Sequence, residues 1–141
     1  MIGYLLDTNC ISELVRSKPE TRVLEWMDTT DENLLHLSVL TLGEIRKGVA
    51  GLQPSKRRAR LETWLDVELQ LRFADRILPV DAAIANRWGL LAAGAKMEGR
   101  SLSVIDGLLA ATALQYNFAL VTRNVSDFAQ IAVPIINPWE L

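Results

Sequence analysis

The chain has 141 residues, 50% of them hydrophobic and 23% charged, with a formal net charge of −2 and one cysteine. That length supports a single domain over residues 1–141 with one core, and the composition lies far from the polar, highly charged balance of disordered chains. The lone Cys10 excludes an intramolecular disulfide and a cysteine-based zinc cluster, and no run of about 18 apolar residues offers a membrane span.

Ile2 to Leu6 is a short apolar run with no basic flank and no small-residue cleavage site, so it reads as a buried strand and not as an export signal. A cytoplasmic protein is expected. Asp7-Thr8-Asn9 hands that strand over to a helix across Cys10 to Arg16, and Lys18-Pro19 breaks the chain. Thr21 to Asp28 is predicted as a second helix, Leu34 to Leu40 as a strand, and Thr41 as the start of a helix carrying Leu42, Ile45 and Val49 that ends near Gly48 to Gly51. After Pro54 a longer helix follows, with Leu61, Trp64, Leu65, Leu69 and Phe73 at helical spacing. The helices between Thr21 and Phe73 are expected to form a protruding hairpin.

Ile77-Leu78-Pro79-Val80 is a short strand whose exit, Asp81, caps a helix through Ile84, Trp88, Leu91 and Ala95. Ser103 opens another helix. Ala119-Leu120-Val121 is a strand, followed by Thr122-Arg123-Asn124 and a short helical turn near Asp127 and Phe128. Val133-Pro134-Ile135-Ile136 is the last strand, placed at a sheet edge by its proline. Strands and helices alternating in this order predict an α/β fold, a three-layer α/β/α sandwich with a mostly parallel central sheet.

In such a sheet ligands bind outside the carboxyl ends of the strands, and acidic residues recur there. Asp7 ends the first strand, Glu44 and Asp106 each sit three residues after a helix-opening hydroxyl, and Asp127 follows the fourth strand. Taken singly each has a plain alternative. Thr41 to Glu44 and Ser103 to Asp106 both fit a capping box, Asp7 fits a helix cap, and Asn124 or Ser126 can cap the last turn. Together they would crowd negative charge on one edge, a conflict that a divalent cation removes. Oxygen-only ligands select Mg²⁺ or Mn²⁺, and the chemistry implied is hydrolytic phosphoryl transfer.

Negative evidence narrows the field. His36 is the only histidine, so a two-histidine ribonuclease mechanism within one chain is excluded, and a strand role suits it better. No Gly-x-Gly-x-x-Gly fingerprint and no Walker lysine motif occur. A receiver-like use of Asp7 as phosphorylated nucleophile would want a lysine beside the site, and Lys96 matches poorly. The four tryptophans, Trp26, Trp64, Trp88 and Trp139, are expected in the core, Trp139 being the one most apt to stand outside it because it lies in the tail. The run Lys56-Arg57-Arg58-Ala59-Arg60 is compatible with a polyanion partner but also with a solvated helix face.

Leu5-Leu6-Asp7-Thr8-Asn9, Ser38-Val39-Leu40-Thr41-Leu42-Gly43-Glu44-Ile45, Asp106-Gly107-Leu108-Leu109-Ala110-Ala111-Thr112-Ala113, Thr122-Arg123-Asn124 and the tail Asn137-Pro138-Trp139-Glu140-Leu141 stand in this order. Together they resemble PIN-domain toxins of the VapC type, in the FitB-like group. The resemblance covers nearly the whole chain. It implies an Mg²⁺-dependent endoribonuclease, Mn²⁺ being a possible substitute, that is the toxin of a type II toxin–antitoxin pair. It further implies restraint by a VapB-like antitoxin, and a homodimer that joins the antitoxin in a heterotetramer or larger assembly.

Carried over by position, Asp7 and Asp106 match the principal metal ligands and Glu44 the third acid. Thr8 and Asn9 match residues that steady the site, and Thr122 matches the hydroxyl after the fourth strand. At Asn124 some relatives have an acid, which leaves the fourth position open between Asn124 and Asp127. One ion or two would use the same ligands. Arg46, Lys47 and Arg123 are candidate RNA contacts. The rival reading is a non-catalytic PIN-fold module that binds RNA or protein without cutting.

Overall fold

A computed structural model describes residues 2–141. In chain order, β1 (Tyr4–Leu6) leads into α1 (Thr8–Ser12) and a 3₁₀ turn at Glu13–Val15; α2 (Thr21–Thr29) and β2 (Leu35–Ser38) follow. Next, α3 (Val39–Ala50) precedes α4 (Lys56–Thr63), which runs through a π-helical turn at Trp64–Glu68 into α5 (Leu69–Arg72). Then come β3 (Ile77–Leu78), α6 (Ala82–Met97), α7 (Val104–Tyr116), β4 (Ala119–Val121), a 3₁₀ turn at Val125–Phe128, β5 (Ile135–Ile136) and a last 3₁₀ turn at Pro138–Glu140.

The five strands form one sheet in the order β3-β2-β1-β4-β5, every neighbouring pair parallel. The first strand is central because Leu5 and Leu6, both fully buried, bury against opposite layers, as a parallel strand covered on both faces requires. Leu5 aligns with Leu120 and Leu6 with Val121. The period-2 alternation then sorts the core. Leu6 and Val121 pack with Ile11, Met27, Leu37, Ile45, Leu69 and Phe73, whereas Leu5 and Leu120 pack with Leu109, Ala110, Phe118 and Phe128. Each such buried Leu or Phe contributes roughly 1.5–3 kcal/mol relative to exposure. These two cores, one on each face, make the three-layer sandwich. Pro134 directly precedes the edge strand β5, where its missing N–H costs no ladder bond, and its carbonyl accepts from the Leu120 amide at 2.8 Å.

Several expectations need correction. α3 begins at Val39, not Thr41, and β2 stops at Ser38, whose hydroxyl caps the helix by accepting from the Leu40 amide at 3.0 Å. The pairing of Ser38 with Leu78 on β3 brings the strand to its end there. The helices between Thr21 and Phe73 are not a protruding hairpin: Val23, Met27, Leu65, Leu69 and Phe73 are all buried in the core, and only α4 buries no residue. Trp139 is only 6% exposed, packed in the same core as Met27 and Phe73, so the tail tryptophan is an interior residue.

α7 approaches α6 closely because position 107 is glycine. A Cβ there would lie 2.7 Å from the Trp88 indole. This seats the first turn of α7, and with it Asp106, against the neighbouring helix.

Candidate active site

The chain leaves β1 for β2 and β3 on one side, then returns to build β4 and β5 on the other. The topological switch therefore lies between the carboxyl ends of β1 and β4, where an open parallel sheet places its ligands. Asp7 closes β1 and Thr122 closes β4. The Thr122 hydroxyl donates to Asp7 Oδ2 at 2.8 Å, and the Thr8 amide donates to Asp7 Oδ1 at 2.7 Å. Asp7 is thus the cap of α1, as its plain alternative reading held, and is also fixed from the neighbouring strand.

Thr122 is a junction. Its fully buried oxygen accepts from Asn9 Nδ2 at 3.3 Å and from the Asn124 amide at 3.0 Å while its proton goes to Asp7. The side-chain acceptor of Asn9, Oδ1, is buried without a partner. Thr8 makes the second link: its hydroxyl donates to Glu44 Oε1 at 2.6 Å, with the buried Thr41 hydroxyl 3.2 Å away. Since Ser38 caps α3, Glu44 does not stand at the third helical position and is not part of a capping box. Asp106 keeps half of its box: the Ser103 hydroxyl accepts from the Asp106 amide at 3.1 Å.

Asp7 and Asp106 feel the neighbouring negative charges. Burial raises the Asp7 carboxyl above its ordinary value, the Thr122 and Thr8 hydrogen bonds oppose this, and the negative charges of Asp106 and Glu44 raise it further. Asp106 is raised by burial, against the Ser103 contact, and further by Asp127 and Glu44. No ion pair among the described residues involves Asp7, Glu44, Asp106 or Asp127. Also among the described residues, no three carboxylate, histidine or thiol groups stand close enough to enclose one ion as placed. The donor set still fits a hard cation in kind: oxygen ligands only, negative charge without a counter-cation, and an acceptor oxygen on Asn9 with no donor. Joint coordination requires the carboxylates to turn inward from these positions.

Other predicted residues fall around this cluster. Asp127 is exposed, and with Asp106, Arg100, Ser101, Ser103 and Gln130 it lines a cavity of about 470 Å³. The Asn124 side chain makes no cap bond. Lys47 lines a cavity with Glu44 and Ile105, Arg46 pairs with Asp66, and Arg123 stands over the Trp139 ring at 5.7 Å. His36 is a strand residue, its Nδ1 2.9 Å from the Leu34 carbonyl and its ring stacked on Phe118. Cys10 is a fully buried free thiol.

The sequence alone did not assign to the site Thr41, which meets Thr8, or Arg100, which lines the cavity of Asp106 and Asp127, and it passed over Glu13. The last is 2% exposed; burial would raise it, yet the Glu20 amide at 2.9 Å and Arg16 at 2.7 Å hold it below the usual carboxylate range. It ties the end of α1 to the start of α2. A single acid between Ser12 and Leu14, at the end of a short helix, has no periodic signature, so only the fold reveals it.

Comparison with known proteins gives a consistent picture. The sequence profile of a family described as PIN domain matches residues 4–134. The chain is 39% identical over 136 residues, 96% of its length and 97% of the relative's, to "VapC ribonuclease Y4jK" of Sinorhizobium fredii. It is 38% identical over 135 residues, 96% of this chain and 97% of the relative, to "Toxin FitB" of Neisseria gonorrhoeae. Among solved structures, "Crystal Structure of FitAcB from Neisseria gonorrhoeae" superposes with a TM-score of 0.92 at 38% identity, over 98% of this chain and 99% of that one. A "Structure of FitAB bound to IR36 DNA fragment" does so with a TM-score of 0.92 at 37% identity, over 98% and 96%.

Proposed function

Because the chain belongs to the PIN-domain family, we propose that it is an endoribonuclease, the toxin of a type II toxin–antitoxin pair, whose carboxylates hold Mg²⁺ to hydrolyse RNA phosphodiesters. The observation that carries this reading is the anchoring of Asp7 across the β1/β4 switch point while Glu44 and Asp106 raise its pKa. Like charges gathered on one sheet edge and salt-bridged to no cationic side chain among the described residues suit a site meant for a cation.

Asp7, Glu44 and Asp106 would hold the ion, with Mn²⁺ as a substitute. When bound, it supplies charge neutralisation for the phosphodiester and lowers the pKa of water. The chain's own contributions are positional. Thr8 and Thr122 fix the Asp7 carboxylate through both oxygens, Thr8 orients Glu44, and Asn9 and the Asn124 amide fix Thr122 in turn. Asp127, exposed and close enough to raise Asp106, completes the acid set in preference to Asn124 and accepts the proton of the attacking water. The water oxygen bonds to phosphorus as the bond from phosphorus to the ribose oxygen breaks, and the proton taken by Asp127 is passed through solvent to that leaving oxygen. Lys47 and Arg123 flank the RNA; Arg46 joins them only by leaving Asp66.

The reading also takes the chain as one nuclease domain over residues 1–141 that acts in the cytoplasm, dimerises, and is restrained by a VapB-like antitoxin. Solved neighbours titled as FitAB and VapBC complexes support the last point, and no helix among the described residues is long and apolar enough to cross a membrane. Purified Asp7→Asn and Asp106→Asn chains, assayed on RNA with Mg²⁺, are expected to lose at least about 100-fold in rate with the fold intact by circular dichroism, the scale of losing a group that acts on the transition state. Cleavage at the wild-type rate by either variant rejects the assignment.

A further inference from the structure

The basic run on α4 divides into two roles. Arg58 donates to the Leu52 carbonyl at 2.8 Å and pairs with Glu62 at 3.4 Å. Arg57 and Arg60 are exposed and pair with no carboxylate among the described residues. With Leu61 and Trp64 they occupy positions i, i+3, i+4 and i+7, one face of a helix. That face closes two adjoining cavities of about 240 Å³ each, which share Val15, Arg57, Leu61 and Trp64. The first of them extends to Thr8 and Glu44. The groove therefore reaches the Thr8–Glu44 side of the acid cluster.

We propose that this groove binds the single-stranded RNA flanking the cleaved phosphodiester, with Arg57 and Arg60 on backbone phosphates and an unpaired base on Trp64 between Leu61 and Val15. The inference rests on the ribonuclease reading and names the path its substrate takes. Two observations carry it. Guanidiniums paired with no carboxylate among the described residues, although Glu68 shares their cavity, are complementary to a polyanion on a chain whose net charge is −2. They border the part of the half-buried Trp64 indole and aliphatic wall left open to the groove, of the kind on which unpaired bases stack. A duplex would present its bases to no such wall. The shared lining with Thr8 and Glu44 further means that a strand lying in the groove reaches one of the site's acids.

Binding can be measured apart from cleavage. A short, unstructured, fluorescein-labelled RNA is titrated by anisotropy into the Asp106→Asn chain, alone and with Arg57→Gln plus Arg60→Gln, Trp64→Leu or Trp64→Phe added. The arginine pair is expected to weaken binding about tenfold and to flatten the slope of log Kd against log salt by about 1.4, two phosphates at roughly 0.7 each. Trp64→Leu is expected to weaken binding about tenfold while Trp64→Phe, which keeps an aromatic face, retains most of it. In the active chain Arg57→Gln plus Arg60→Gln should raise KM and leave kcat unchanged. Unaltered Kd and salt slope in the arginine variant overturn the inference even if the wild type cuts RNA. Loss of a protein partner with RNA affinity intact assigns the groove to that partner and also overturns it. If these RNA losses appear in a chain that never cleaves RNA, the groove stands and the ribonuclease reading falls.

Discussion

Asp106 carries the electrostatic conflict of the site at the residue scale. Burial and the charges of Asp127 and Glu44 raise its pKa above 3.8, so the folded chain holds this proton more tightly than the unfolded chain. Stability therefore falls as pH rises from about 3.8 through the raised value, and it is regained on acidification. Asp106→Asn fixes the neutral form. In chelator-containing buffer its Tm is expected to exceed that of the wild type at about pH 7, with the gap closing as pH is lowered towards about 4; thermal unfolding between those limits checks the sign. An equal gap at every pH would mean that the charge is not the cause. Asp7, Asp106 and Asp127 stood out as candidates because each follows a strand or a helix-opening hydroxyl, whereas Glu44 was reached through Thr41, which lies inside α3 and does not open it. Their steadying partners were legible only through the family resemblance, because the contact of Thr122 with Asp7 spans 115 positions and no local pattern encodes it.

At the scale of elements, the start of α3 shows what local pattern leaves undecided. Ser38 and Thr41 are both hydroxyl residues three positions apart, and either can cap a helix that contains Ile45 and Val49. Tertiary pairing decides: β2 runs beside β3 only as far as Ser38, so the chain turns there and Thr41 is left inside the first turn, facing Thr8. Ser38→Ala is accordingly expected to lower stability by about 1 kcal/mol, the usual cost of a lost cap. Urea unfolding measures it, as a lower midpoint with an unchanged slope; an unchanged midpoint would show that the cap contributes nothing. The consequence reaches the site, because α3 carries Glu44. The long helix after Pro54 was likewise readable in extent but not in its π-helical turn at Trp64–Glu68, across which Leu65 and Leu69 are both buried.

At the scale of the whole molecule, the layer order followed from alternation of strands and helices, whereas the layer each helix covers did not. Periodicity reveals that Leu65, Leu69 and Phe73 share a buried face but not what they bury against, which is why a hairpin standing away from the sheet looked reasonable. The tail teaches the same point. Asn137 caps the final 3₁₀ turn by accepting from the Trp139 amide at 3.0 Å, and the indole enters the core beside α2. Trp139→Ala is expected to destabilise the fold by about 3–5 kcal/mol, the cost of emptying a large buried site. A loss under about 1 kcal/mol by chemical denaturation would show that the tail is not part of the core.

Whether acids drawn from β1, α3 and α7 act together on one cation is tested most directly by calorimetric titration of Mn²⁺ into the metal-free wild type, Asp7→Asn and Asp106→Asn chains. Saturable heat in the wild type that disappears in both variants is the expected result. Identical isotherms in all three, or no saturable heat in any, would contradict a shared metal site.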